Sequence, residues 1–143
     1  MAAELEVLTQ LSGKGFRITQ ARRAIVRALL DADSSVTPAQ ASELARHHWP
    51  TVGLVTAYRT LELLTQLGFA RRIHLDDGCH SYVSASYGHR HDLICRECGR
   101  VVEFDGCDLS ELLERVQDET GFCINAHILE LSGVCAGCQE AAQ

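Results

Sequence analysis

No apolar stretch in this chain approaches the length needed to cross a bilayer. The first residues lack the basic segment and apolar core of a secretory leader, so a cytoplasmic protein is expected. There is no internal repeat and no low-complexity segment, which excludes repeat arrays and compositionally biased tracts. His-x-Glu is absent, and no proline precedes either Cys-x-x-Cys pair, so the zinc nucleobase deaminase pattern is not met. The HEXXH pattern of metalloproteases is missing as well. Cysteine itself is absent from the first 78 residues.

All seven cysteines follow, and five of the seven histidines lie from His74 onward. Charge divides at the same place. Residues 1–73 carry nine Lys/Arg against six Asp/Glu; residues 74–143 carry four against thirteen. A mildly basic half can approach a polyanion, and an acidic half should stay off it. With 46% hydrophobic residues spread over 143, the chain is globular and long enough for one domain or two small ones.

Two Cys-x-x-Cys pairs, Cys95/Cys98 and Cys135/Cys138, have 36 residues between them. That spacing can bring four thiolates around one zinc and tie the C-terminus back to the middle of the chain. Two disulfides, scattered buried thiols or a thiol-redox switch are the alternatives. The expected reducing compartment favours metal over disulfides. A four-cysteine site has no open position for substrate, which argues against a zinc enzyme.

Along the first half, apolar spacing predicts a helix over residues 3–12, then one after Thr19, a natural N-cap. Thr37-Pro38-Ala39-Gln40 is a helix start: capping residue, proline in the first turn, glutamine third. In VGLVTAYRTLELLTQLG, Leu54, Ala57, Leu61 and Leu64 share a face, while Tyr58, Arg59 and Glu62 lie off it. FARRIHL, the turn Asp76-Asp77-Gly78 and CHSYVSA read as a β-hairpin. Helices followed by a hairpin is the order of a winged helix-turn-helix, whose last helix enters the DNA major groove. We expect a winged-helix domain over residues 1–85. Tyr58 and Arg59 would face DNA, with Lys14, Arg17, Arg22, Arg71 and Arg72 neutralising phosphates.

Residues 86–143 are expected to form a small dimerisation and metal-binding domain. HDLIC and RVVEF alternate around the CREC knuckle as paired strands. Asp108-x-x-Glu111 has the form of a capping box opening a helix, and FCINAHILELSGVC reads as a third strand. The fold class is therefore α+β, with a three-stranded antiparallel sheet that needs zinc and a partner subunit to be stable.

The combination of GFRITQAR, TAYRTLELL, GHRHDLICRECGRVVEF and CAGC resembles the ferric uptake regulator family of bacterial metal-sensing repressors. Within it the chain is most similar to the zinc uptake regulators. The resemblance implies a homodimer with winged-helix arms, a structural four-cysteine zinc, and one or two separate regulatory zinc ions per subunit. It groups His89, His91, Glu111 and His127 as one regulatory site. Glu111 could instead be the third residue of the capping box, and His127 a core histidine. Arg90 stands where relatives often have a ligand histidine and cannot bind metal. Cys79 and His80, with His74 upstream, suggest a second site that could share His91 or Asp92 and clamp the arm. Cys107 and Cys123 have no assigned role; Cys107 precedes a helix start, where a thiol can be activated.

The expected function is a metal-dependent repressor, zinc-responsive, binding an inverted-repeat operator when the regulatory site is filled. An iron, manganese or peroxide sensor on the same scaffold is the alternative. A thiolate donor favours zinc; a site of His and carboxylate alone leaves iron, manganese and nickel open.

Overall fold

The computed structural model describes residues 2–74, 78–85 and 90–143. The chain divides into two compact units, Met1–Ser86 and Tyr87–Gln143, and each is described by itself.

In the first unit α1 (Ala2–Gly13), α2 (Gln20–Leu30), α3 (Pro38–Ala45) and α4 (Leu54–Gln66) precede a hairpin of β1 (Ala70–His74) and β2 (His80–Ser84). The helix starts follow from local chemistry. The Thr19 hydroxyl accepts the Arg22 N–H at 3.1 Å. At α3 the Gln40 N–H donates to Thr37 Oγ1 at 3.2 Å, and the Thr37 N–H donates to Gln40 Oε1 at 2.8 Å. This reciprocal capping box satisfies two donors that a helix start otherwise leaves unpaired. Helix α4 stops at Gly68, whose φ of 81° turns the chain toward β1 and sends the Phe69 N–H back to the Leu64 carbonyl.

Leu11, Ile25, Leu29, Leu61 and Leu64 are buried in one core with Tyr82 of the hairpin. Each apolar side chain removed from water in this way contributes about 1.5–3 kcal/mol. The hairpin register runs from Ala70 opposite Ser84 to His74 opposite His80. Val36, between α2 and α3, exchanges two backbone hydrogen bonds of 2.8 Å with Tyr82, which fastens the hairpin to the helices. Asp76 and Asp77 of the expected turn lie outside the described residues.

The second unit contains β3 (His91–Cys95), β4 (Val101–Phe104), α5 (Ser110–Thr120), β5 (Glu130–Gly133) and α6 (Ala136–Ala141). Its sheet has the order β4-β3-β5. The sequence pattern predicts an antiparallel three-stranded sheet; the sheet is mixed. Strand β4 pairs antiparallel to β3, but β5 pairs parallel to it. The reason is topological: β4 and α5 together form the long connection that a parallel neighbour requires. The last strand is also shorter than its sequence pattern. Only Glu130–Gly133 pairs, and His127 precedes it on irregular chain.

Helix α5 starts later than the capping-box pattern suggests. Leu109 is its N-cap, with no side-chain bond to the helix. Asp108 instead accepts the Ser110 N–H at 3.2 Å and the Ser110 hydroxyl at 2.8 Å. These bonds, the hydroxyl first, hold the Asp108 carboxyl below its usual range. No residue of α5 is buried in the single chain.

Candidate metal centres

Hydrogen bonding around the first Cys-x-x-Cys pair fixes a tight knuckle. The Cys95 N–H donates to the Arg100 carbonyl at 2.8 Å, and the Gly99 N–H donates to the Cys95 carbonyl at 2.9 Å. Gly99 has a φ of 74°, a conformation that side chains resist. The second pair is brought in by β5, because the Arg96 N–H donates to the Gly133 carbonyl at 2.9 Å. Cys135 then begins α6 as its N-cap, with Cys138 within the helix.

The sulfurs of Cys95, Cys98, Cys135 and Cys138 all lie within 4.8 Å of one another. The four are thiols, not disulfides. Cys98 Sγ and Cys135 Sγ are 3.8 Å apart. A tetrahedral site with Zn–S bonds of about 2.3 Å has S···S edges of about 3.8 Å, the length of the Cys98–Cys135 edge. The electrostatics agree. Backbone N–H groups of Cys135, then Cys98, hold the Cys95 thiol down at about 6. The neighbouring Cys135 and Cys98 thiols push Cys138 up to about 12. Four sulfurs this close cannot all lose protons without a cation among them. This group is the one the Cys-x-x-Cys spacing anticipates.

A second group of donors comprises His91, Cys107 and His127, again within 4.8 Å of one another. His91 Nε2 lies 2.8 Å from Cys107 Sγ, which lies 3.4 Å from His127 Nε2. The two imidazoles stack with centroids 5.3 Å apart. An N···S edge of a tetrahedral zinc site is about 3.5 Å, from bonds of about 2.0 and 2.3 Å. His91 is buried on β3, and its ring also meets Phe104, its cross-strand partner, at 5.6 Å. Three protein donors among the described residues form an incomplete tetrahedral set, which suits an exchangeable ion better than a permanent one.

The structure brings together His91 and His127, as the resemblance implies, but not Glu111. That carboxylate is exposed on the first turn of α5, and Cys107 supplies the third donor. His89 lies outside the described residues. Arg90 pairs with Asp105 at 3.6 Å. Cys79 and His80 are exposed in the hairpin of the first unit, where the His80 ring meets His74 edge-on at 5.6 Å. Among the described residues they belong to no group of three donors. Cys107 is the residue that sequence reasoning left without a role. Its signal was positional: counting outward from the knuckle, Ile94 faces Val101 and His91 faces Phe104, so Cys107 follows three residues past His91's partner.

Of the expected DNA-facing residues, Tyr58 and Arg59 are exposed on α4, off its core face. Lys14 and Arg17 are exposed ahead of α2. The Arg22 guanidinium donates to the Arg17 carbonyl, and Arg71 is half-buried on β1. Arg72 is turned onto Glu62 of α4.

A helical DNA-binding unit, a small mixed-sheet unit and a four-cysteine zinc site define a metal-dependent DNA-binding regulator of transcription. Residues 13–132 match the model of the ferric uptake regulator family, and the chain belongs to that family. It is similar to the peroxide-responsive repressor PerR of Staphylococcus saprophyticus, at 28% identity over 98% of this chain and 99% of that one. Among solved structures it is similar to holo XcZur, at 27% identity, TM-score 0.71, covering 97% of this chain and 98% of that one. A zinc uptake regulator complexed with zinc and DNA shares the fold, with TM-score 0.76 at 23% identity over 97% of this chain and 94% of that one. As a member of the family the protein is a regulator of transcription, not an enzyme. No described helix is long and apolar enough to cross a membrane.

Proposed function

We propose that this protein is a zinc-responsive repressor that binds an inverted-repeat operator as a homodimer when His91, Cys107 and His127 hold zinc. The observation that supports it is the Cys107 sulfur, 2.8 Å from His91 and 3.4 Å from His127. A soft thiolate favours zinc over iron and manganese at a site otherwise built of imidazole. Bound there, zinc would supply a positive charge that neutralises the thiolate and holds the three side chains together. His89 is retained as a fourth donor on the sequence argument alone, and Cys79 and His80 as a second regulatory pair. Tyr58 and Arg59 would read bases, while Lys14, Arg17, Arg22 and Arg71 meet phosphates. Filling the regulatory site would favour the operator-binding form by about 1–3 kcal/mol, a change of roughly 5- to 150-fold in affinity.

The test is a gel shift with zinc, ferrous iron and manganese titrated separately into protein that retains only its tightly held zinc. Zinc should restore binding at the lowest free concentration. Equal binding after removal of the exchangeable ion would end the proposal. One tightly held and one or two exchangeable zinc ions per subunit are expected.

A second reading, a peroxide-responsive repressor, draws on the full-length similarity to proteins so named at 28% identity. It requires ferrous iron to be the better corepressor and peroxide to release the iron-loaded protein from DNA.

A further inference from the structure

Helix α4 and the hairpin meet at a polar contact built on Glu62. Glu62 lies one turn beyond Tyr58 on α4. Its Oε1 accepts two hydrogen bonds at once, from the Arg72 guanidinium of β1 and from the Tyr82 phenol of β2. Arg72 and Tyr82 are direct cross-strand partners, and the guanidinium carbon sits 5.8 Å from the Tyr82 ring centroid. Tyr82 is itself fixed: it is 1% exposed, and its backbone is bonded both ways to Val36.

Two features set these residues apart from a phosphate-binding surface. An arginine that neutralises a phosphate has to present its guanidinium to the DNA; that of Arg72 is committed to a carboxylate in its own unit. A carboxylate on the helix that carries Tyr58 and Arg59 is repelled by phosphate, so simple electrostatics would select against it there. Its presence is explained by what it joins. One oxygen links three elements, each through a different side chain, and charge-assisted bonds of this kind hold geometry more firmly than neutral ones.

We propose that Glu62 is the joint that sets the hairpin wing against the recognition helix, and that Arg72 and Tyr82 are positioning residues, not DNA contacts. The proposal rests on the assignment of α4 to DNA. The joint acts by holding the wing where Arg71 can reach the backbone while Tyr58 and Arg59 occupy the groove. Loosening it costs affinity through lost preorganisation, without removing any charge–phosphate contact.

The test uses the full zinc-loaded dimer and a labelled duplex that the wild-type protein has selected from a random pool. Affinity is measured across a salt series, at temperatures where melting and zinc content show each variant folded. Glu62→Gln should bind about tenfold more weakly, the size expected when one charge-assisted hydrogen bond is lost from the docked form. Removing an anion that merely sat near DNA would instead tighten binding. Arg72→Met should also weaken binding about tenfold, with an unchanged slope of log affinity against log salt. A lost phosphate contact lowers that slope by about one, as the control Lys14→Ala should show. The double variant Glu62→Gln/Arg72→Met should be no weaker than the worse single one, because both break the same joint.

Equal or tighter binding by Glu62→Gln overturns the proposal. So does a slope lowered by about one in Arg72→Met, or a lower melting temperature with affinity unchanged, which would leave a stabilising contact only. If Glu62→Gln yields no folded dimer, Tyr82→Phe decides alone, since it keeps the buried ring and removes only the hydroxyl. If Arg59→Ala leaves both affinity and slope untouched, α4 is not the DNA face and the proposal falls with that assignment, a result distinct from the others.

Discussion

In the proposed regulatory site, Cys107 is the side chain on which metal choice would turn. Replacing it with serine leaves two imidazoles and a weak oxygen donor. Loss of an outer-shell partner alone costs about 10- to 100-fold in metal affinity, so loss of this donor should cost at least that. Competition with a chromophoric chelator would show weakened exchangeable zinc and intact four-cysteine zinc in Cys107→Ser. Cys107→Asp should move the preference toward iron or manganese, since it removes the only soft donor of the group. Glu62 makes a different residue-level prediction. The Tyr82 hydroxyl first, then Arg72, holds its carboxyl below the ordinary 4.5, so its stabilisation is complete above that value and is lost as pH falls through the lowered one. Tyr82 is raised above the ordinary 10.0, chiefly by burial, so its share is complete below that value and is lost as pH rises through the raised one. The melting difference between wild type and Glu62→Gln should therefore be flat from about pH 5 to 9 and shrink on the acid side. Trp49, the single tryptophan, lies in the helical unit and reports this melt by its fluorescence.

At the scale of elements, what could be read from the sequence was what local chemistry determines. Thr19 and the Thr37–Gln40 box start their helices where the capping rules place them. Thr37→Ala should cost about 1 kcal/mol, read as an earlier Trp49 melt with unchanged zinc content. The two Cys-x-x-Cys pairs were legible for the same reason, since ligand spacing is written along the chain. Asp108 misled because its carboxylate can satisfy Ser110 as well as a helix start, and nothing local decides between the two. Parallel pairing of β5 was hidden because alternation shows which face a residue takes but not which way its neighbour runs. His127 followed from that: the pattern continued the strand through it, whereas pairing begins only at Glu130. Cys107 needed both the β3–β4 register and the path of the chain before β5. The role of Arg72 depended on a partner ten residues away on another element.

For the whole molecule, the second unit is incomplete as a single chain. Leu93 faces Val102 on one side and Leu131 on the other, forming an apolar row across all three strands, exposed by 41%, 42% and 44%. Such a row belongs against another surface, and dimerisation supplies one. Leu93→Glu should shift the sedimentation equilibrium to monomer and abolish operator binding, with the helical unit still folded by Trp49 fluorescence. Stripping zinc from the four cysteines should have the same outcome by another route, because it releases β5 and α6 from the knuckle. Strand β3 has a further consequence. It carries His91 at one end and Cys95 at the other, four residues or about 13 Å apart and on the same side of the sheet. An ion held by Cys95 would keep the strand aligned against both neighbours, and the aligned strand is what brings His91 beside Cys107 and His127. On the proposed reading, occupation would be sequential: a newly made chain would first take up its permanent ion before it could gauge the supply of a second, so scarcity of that first ion would leave young copies blind before it left mature ones silent.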